Sequence, residues 1–148
     1  MLKGISGFIA AMMALDQAPF EFHLTGSRCF GYESETSDWD FFVAVPDDGP
    51  AKLQEMLLAN GFTKESNEHY ASRPANPLDD TLEVWVHKAA NIHVQVVRET
   101  ASKVEIQKAM KAVPGIGQAL KSLSKADRKA IWRMSRAVFE AGKKFSAR

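Results

Sequence analysis

Apolar residues recur every three or four positions in several parts of the chain, which is the spacing of an amphipathic helix. Helices are predicted over residues 2–16, 52–60, 102–113 and 124–145. Pro19 ends the first of them, and Ser124 is placed to cap the last. In the last helix the apolar stripe expected to face the core comprises Ile131, Met134, Val138 and Phe139.

Shorter segments, rich in β-branched and aromatic residues, favour strands. Strands are predicted over residues 20–24, 40–45, 81–87 and 92–98. A four-residue loop between the last two predicts a hairpin with His87 opposite Ile92 and Val86 opposite His93. The polar, proline-containing stretch 64–80 is predicted to be a long exposed loop.

The predicted order of elements is α-β-β-α-β-β-α-α. This order favours an α+β fold, with a small mixed or mostly antiparallel sheet, helices on one side of it and a helical C-terminal segment. A chain of 148 residues is long enough to bury one sizeable core. We therefore expect a single domain over 1–148, with a core in 1–100 and basic helices in 101–148.

The cysteine content and the length of the apolar runs indicate the cellular compartment of the protein. The single cysteine, Cys29, excludes an internal disulfide framework and is expected to pack as a small hydrophobic side chain. No apolar run reaches the roughly 18 residues of a membrane span. The prediction is a cytoplasmic protein with no membrane partner.

The net charge of +1 conceals an uneven distribution. Residues 1–100 contain 7 basic and 15 acidic side chains, and residues 101–148 contain 12 basic and 3 acidic ones. The basic part could bind nucleic acid or phosphate, or it could pack against the acidic body. The basic residues expected to share one face of the last helix are Lys125, Arg128, Lys129, Arg133, Arg136, Lys143 and Lys144.

Residues 111–117, KAVPGIG, resemble the hairpin of helix-hairpin-helix modules, in which the amides of a Gly-x-Gly meet a DNA phosphate. The residues that follow do not reproduce the rest of that pattern. A helix break caused by Pro114 and Gly115 explains the same sequence, and we prefer this interpretation.

Two carboxylates introduce the predicted second strand. Side chains two residues apart in a strand point to the same face, so Asp38 and Asp40 should project together, with Trp39 on the other face. Adjacent carboxylates repel unless a cation lies between them, and Mg²⁺ or Mn²⁺ takes such oxygen ligands. The alternative is a solvated turn at the start of the strand.

Upstream, Gly26 and Ser27 follow the first predicted strand. A turn from strand to helix at this point would let the backbone approach a phosphate and direct N–H groups at it. Arg28 could add a charge-assisted hydrogen bond, or it could pair with Glu33 or Glu35 at the surface. A phosphate cradle beside a metal-binding pair describes a site for a nucleoside triphosphate.

Gly31 and Ser37 complete the pattern, which reads glycine-serine, a glycine a few residues on, then Ser-Asp-x-Asp before a strand. This pattern resembles the signature of the DNA-polymerase-β-like nucleotidyltransferase superfamily, and the small stand-alone members are the nearest comparison. The resemblance covers about a third of the chain by motif, and residues 1–100 by order of elements.

The resemblance implies a nucleotidyltransferase fold and a two-metal transfer of a nucleoside monophosphate from an NTP to an acceptor hydroxyl. By the same resemblance, Gly26 and Ser27 hold the β and γ phosphates, and Asp38 and Asp40 bind Mg²⁺ or Mn²⁺. Ser37 and Arg28 complete the candidate nucleotide-binding residues.

Active members of the superfamily carry a third carboxylate on a later strand, and this chain departs from that rule. His93 occupies the position where we align it, with Gln95 as the second choice. Glu83 on the neighbouring strand could compensate, but the predicted hairpin places it on the opposite face from His93 unless a bulge intervenes. Asp79 and Asp80 are less constrained candidates and are more readily explained as turn residues.

Three functions remain open from sequence. The first is a nucleotidyltransferase with a substituted third ligand, acting on a small molecule, an RNA end or a protein. The second is a catalytically degenerate protein that binds a nucleotide or a partner protein, including an antitoxin-like role. The third is a nucleic-acid-binding module in which the basic segment 101–148 dominates.

Overall fold

The computed structural model describes residues 2–45, 50–65, 81–97 and 101–146. The helices are α1 (Leu2–Gln17), α2 (Gly26–Phe30), α3 (Ala51–Ala59), α4 (Ala101–Lys111), α5 (Ile116–Lys121) and α6 (Lys125–Ser146). The strands are β1 (His23–Thr25), β2 (Trp39–Ala44), β3 (Thr63–Lys64), β4 (Thr81–His87) and β5 (Ile92–Val97). Most of the loop predicted over 64–80, including Asp79 and Asp80, lies outside the described residues.

The five strands form one mixed sheet in the order β1-β2-β5-β4-β3. Strands β2 and β5 run parallel, and the other neighbouring pairs are antiparallel. The register of the β4–β5 hairpin places His87 opposite Ile92 and Val86 opposite His93, which confirms the prediction. The α+β class and the mixed sheet are therefore confirmed.

One face of the sheet, here called the core face, carries the main hydrophobic core. Trp39, Phe41 and Val43 of β2 lie on it, beside the alternate residues of β5. Ala11 and Leu15 of α1 and Leu53 and Leu57 of α3 pack against these side chains. Helices α1 and α3 thus cover the core face.

The opposite face, here called the site face, is also covered by a helix. Lys103 of α4 lies 3.5 Å from the Gln95 side-chain oxygen and 5.4 Å from the Phe42 ring centroid. The prediction of helices on one side only is therefore wrong. The apolar run Phe41–Val43 was a signal for helices on both sides, because three consecutive buried residues indicate a strand covered on both faces.

Helix α6 packs against α4 with a different face from the one we expected. Ser124 does cap it, since its hydroxyl accepts the Asp127 N–H at 3.1 Å. However, Met134 is 65% and Val138 69% exposed, whereas Arg136 is only 9% exposed. The prediction that the apolar stripe faces the core is wrong for these residues.

Residues 112–115 separate α4 from α5, so the helix break at Pro114 and Gly115 is confirmed. Helix α5 then lies against α2. A Cβ added to Gly117 would sit 2.5 Å from the backbone oxygen of Phe30, so a residue without a side chain permits this contact. Within the described ranges, no helix is both long and apolar enough to cross a membrane.

Candidate functional site

Three side chains capable of binding a metal converge on the site face, where β2 and β5 begin. The parallel register pairs Asp40 with His93, and Asp38 precedes β2 by one residue. One ligand atom from each of Asp38, Asp40 and His93 lies within 4.8 Å of the others. The His93 Nδ1 is 3.4 Å from an Asp38 carboxylate oxygen, and both side chains are 34% exposed.

Gly26 packs directly against this cluster. It opens α2 with φ of 71°, a left-handed conformation that glycine adopts at little cost. A Cβ at this position would collide with the Asp40 carboxylate. The predicted proximity of the glycine-serine turn to the acidic pair is therefore present in the structure.

Contacts on both sides of Asp38 in the chain hold the loop before β2 in place. On one side, Arg28 Nη2 donates to the Ser37 carbonyl at 2.8 Å, and its guanidinium stacks 4.3 Å from the Trp39 ring centroid. On the other side, the Trp39 N–H donates to the Asn91 carbonyl at 2.9 Å. These contacts fix the backbone that presents the carboxylate.

In this structure Arg28 and Ser37 contact the protein itself, and the suggestion that they bind a nucleotide stays a prediction. The Arg28 guanidinium is engaged with the loop and the indole ring. The Ser37 hydroxyl accepts the Ser34 N–H at 2.8 Å and closes a local turn. Both residues position Asp38.

Burial dominates the electrostatics of the acidic pair. Burial, followed by the charge of Asp38 and a hydrogen bond between the two carboxyl groups, raises the pKa of Asp40 to about 7. Lys125, at the start of α6, opposes this rise. Near neutral pH the pair therefore shares a proton at a position that a cation could take instead.

Tyr32 and Arg128 lie on the rim of the site. The guanidinium of Arg128 stacks 5.2 Å from the Tyr32 ring centroid. Burial raises the pKa of the Tyr32 hydroxyl, Arg128 lowers it, and the charges of Asp40 and Asp38 raise it. These pairings place the first turns of α6 beside the acidic cluster.

Glu83 lies away from this cluster. It is paired with Val96, on the core face, and the irregularity in the β4–β5 pairing falls between Thr81 and Glu83, before it could change that orientation. Its carboxylate accepts hydrogen bonds from Gln54 at 2.7 Å and Trp85 at 3.1 Å, and Lys64 lies 2.9 Å away. The suggestion that Glu83 supplies the missing third carboxylate is therefore wrong.

Sequence reasoning identified five site residues. The structure brings four of them together, Asp38, Asp40, His93 and Gly26, and the fifth is Ser27. It missed Asn91, whose φ of 54° marks the hairpin turn that contacts the loop before β2. It also missed Tyr32 and the proximity of Lys125. The available signal was the charge asymmetry, which allowed the basic helices to pack against the acidic body.

Two carboxylates and an imidazole form a donor set that suits a divalent transition metal, and Mn²⁺ accepts this mixture more readily than Mg²⁺. The ligand atoms of Asp38, Asp40 and His93 lie within 4.8 Å of one another, close enough to share one such cation. Arg28 and Asn91 hold the loop that carries one ligand, so the cluster is supported by fixed backbone. No family model, curated protein or solved structure matches the chain.

Proposed function

We propose that the protein is a metal-dependent nucleotidyltransferase that transfers a nucleoside monophosphate from an NTP to an acceptor hydroxyl. The observation that carries this proposal is the convergence of Asp38, Asp40 and His93 within 4.8 Å, with the backbone of Gly26 against one carboxylate. Two adjacent carboxylates, one of them largely buried, cost the fold stability unless a proton or a cation lies between them.

Asp38, Asp40 and His93 are the residues that would hold the cation. When bound, divalent ions stabilise the charge on the attacking and leaving oxygens of an in-line displacement. Because His93 stands where the superfamily has a carboxylate, the site carries one negative charge fewer. We expect it to prefer Mn²⁺ to Mg²⁺ for this reason.

Gly26 and Ser27 would receive the phosphates. Thr25 precedes them in an extended conformation and makes no side-chain capping hydrogen bond to α2. The first N–H groups of α2 are therefore not bound by a capping side chain. Lys125 and Arg128 add positive charge at the rim, which favours a polyphosphate ligand.

The test is to incubate the protein with Mn²⁺ or Mg²⁺ and each α-labelled NTP, with RNA, DNA or cell extract as acceptor. Transfer of label should be greater with Mn²⁺ and should be lost in Asp38→Ala and Asp40→Ala. Asp16→Asn is the matched control, because Asp16 is an exposed carboxylate on α1, the helix that packs on the core face and not on the site face. Transfer that survives both alanine substitutions would contradict the proposal.

His93→Asp sharpens the same test. Restoring a carboxylate should raise transfer with Mg²⁺ by at least about tenfold, since metal-site ligands and their partners commonly contribute 10–100-fold. His93→Ala should lower transfer with either metal. If His93→Asp and His93→Ala behave alike, His93 is not a ligand.

A second function is favoured by the identity of His93 itself. Loss of the third carboxylate removes the group that activates the acceptor, so the site could bind an NTP without transferring it. Equilibrium dialysis with labelled NTP and Mn²⁺ distinguishes the two functions. Binding without transfer in the wild type, together with transfer in His93→Asp, would identify a degenerate member that retains the nucleotide site.

A further inference from the structure

Helix α6 divides its basic residues between two environments. Arg136 is buried and Arg128 is half-buried against the body of the protein. In contrast, Lys125, Lys129 and Arg133 are exposed. The basic residues predicted to share one face of this helix thus fall into a group that packs internally and a group in contact with solvent.

The exposed group forms one regular flank of the helix, which we call the α6 basic flank. Lys125, Lys129 and Arg133 follow one another at intervals of four residues. They therefore lie within about 80° of one another around the helix axis, with steps of about 6 Å along it. Asp127, in the same first turn, lies about 200° from Lys125 and so on the other side of the helix. The flank is uniformly positive.

The end of α5 adds a fourth cation to this surface. Arg128 Nη1 donates to the Leu120 carbonyl at 3.1 Å, which ties the last turn of α5 to the first turns of α6. Lys121 is the last residue of α5 and is exposed. Within the ranges that the structure describes, Lys121, Lys125 and Arg133 form no ion pair with a carboxylate. A ligand can therefore meet these charges without first breaking an ion pair.

An aromatic ring lies at the start of the flank. The Arg128 guanidinium carbon is 5.2 Å from the Tyr32 ring centroid, and Tyr32 is only half-buried. The Tyr32 N–H donates to the Ser27 carbonyl at 3.1 Å, which fixes this residue at the end of α2. A fixed aromatic ring beside a row of cations is the combination that stacks a nucleobase while the cations follow the phosphates.

Charge and spacing select the occupant of this surface. Residues 101–148 carry 12 basic and 3 acidic side chains, so the fitting partner is a polyanion. A row of evenly spaced cations suits a chain with one negative charge per unit, and the ring suits a partner with a flat base on each unit. An acidic protein surface offers the charge without the bases. A duplex stacks its bases on one another, so a single strand fits Tyr32 better.

We propose that Lys121, the α6 basic flank and Tyr32 bind a single strand of nucleic acid, with phosphates on the cations and a base on the ring. The proposal does not rest on the proposed nucleotidyl transfer, because phosphate and base contacts need no metal ion at Asp38 and Asp40. Binding should therefore persist in the presence of a chelator and in the absence of any NTP.

Fluorescence anisotropy with labelled RNA and DNA strands of about 12 nucleotides, in a chelating buffer, tests the proposal on the full-length protein. Four phosphate contacts predict that the logarithm of the affinity falls with the logarithm of the salt concentration with a slope of about −3. Binding of either strand with such a slope supports the proposal. If neither strand binds, or if binding does not depend on salt, the proposal is overturned.

Lys129→Gln combined with Arg133→Gln tests the cations. The double variant should bind at least about tenfold more weakly whatever the base sequence, and its salt slope should be smaller by about 1.4. Its circular dichroism should be unchanged, since both residues are exposed. Lys52→Gln is the matched control, because Lys52 is exposed on α3, the helix that covers the core face. Equal affinities of the double variant and the control would overturn the proposal.

Substitution of Tyr32 tests the ring separately from charge. Tyr32→Ala should bind at least about fivefold more weakly with an unchanged salt slope, because it removes stacking and no cation. Tyr32→Phe keeps the ring and should bind like the wild type. If Tyr32→Phe loses as much affinity as Tyr32→Ala, no base stacks on the ring and the proposed binding mode is wrong.

Competition identifies the class of partner. Unlabelled single strands should displace the labelled strand at much lower charge concentration than poly-L-glutamate or a duplex of the same sequence. Equal competition by poly-L-glutamate would assign the surface to an acidic protein and overturn the proposal. Stronger competition by the duplex would overturn the assignment of a single strand.

Discussion

Asp40 combines several unfavourable features in one side chain. It is partly buried, lies beside a second carboxylate and is pressed against the backbone of Gly26. Its pKa of about 7, compared with about 4 in an unfolded chain, means that the folded protein binds a proton more tightly than the unfolded one. Stability should consequently fall as pH rises from about 4 to about 7.

Asp40→Asn should therefore stabilise the metal-free protein, and the gain should depend on pH. We expect little gain at pH 4 and about 2 kcal/mol at pH 8, a figure reduced from the full shift because solvent screens the partly exposed pair. Thermal unfolding in the presence of a chelator, measured across this pH range, gives the comparison. The gain should level off above pH 8.

Bound metal should reverse the order of stability of the wild type and Asp40→Asn. Mn²⁺ should raise the melting temperature of the wild type but have little effect on Asp40→Asn, because binding only to the folded state stabilises it. Asp16→Asn, with its exposed carboxylate, should follow the wild type throughout. Equal pH profiles for wild type and Asp40→Asn would show that Asp40 does not carry the raised pKa.

At the scale of elements, the contact between α2 and α5 links the basic C-terminal segment to the site. Gly117 allows the start of α5 to lie against the Phe30 carbonyl at the end of α2. The other end of α2 begins with Gly26, which packs on Asp40. Gly117 belongs to the segment that resembles a DNA-binding hairpin, but the structure uses it for packing inside the protein.

Gly117→Ala should destabilise the protein and displace α2. The added Cβ would meet a backbone atom, which cannot rotate away, so we expect a loss of about 1–3 kcal/mol in the free energy of unfolding and weaker Mn²⁺ binding. Denaturant unfolding and metal titration measure the two effects.

Gly7→Ala in α1 is the matched control, because a Cβ there meets nothing within 4 Å. That substitution should be neutral or stabilising by about 0.5–1 kcal/mol, since alanine favours helix over glycine. If both variants have the same stability, the α2–α5 contact is not as close as described.

At the scale of the whole molecule, opposite charges are divided between two parts of one chain. Residues 1–100 are acidic and residues 101–148 are basic. The two parts meet where Lys125 opposes the raised pKa of Asp40 and Arg128 stacks on Tyr32. We expect attraction between the two parts to hold the C-terminal helices against the acidic residues 1–100.

Sodium chloride should therefore lower the melting temperature of the metal-free protein. Increasing ionic strength shortens the Debye length to about 3 Å at 1 M and screens the attraction between the two parts. A loss of about 1 kcal/mol corresponds to about 2–4 °C for a chain of this size. A melting temperature that rises with sodium chloride would show that repulsion within each part dominates.

Local patterns in the sequence determined most of the elements. Alternation and helical spacing gave four strands and four helices, because each pattern reflects which side chains one element can bury. The spacing of Asp38 and Asp40 determined their shared face, and the four-residue loop determined the register that places Val86 opposite His93. The short elements α2, β3 and α5 were missed, because two to six residues carry little periodic signal.

Tertiary structure alone decided how those elements face one another. The local pattern of the sequence did not place His93 beside the acids, and only the resemblance suggested it, because the parallel pairing of β2 with β5 joins segments far apart in the chain. It could not show which side of α6 is buried, since an apolar stripe can serve its own core or a second molecule. Both outcomes depend on long-range packing, whose energy is shared among many residues and is not encoded in any one local pattern.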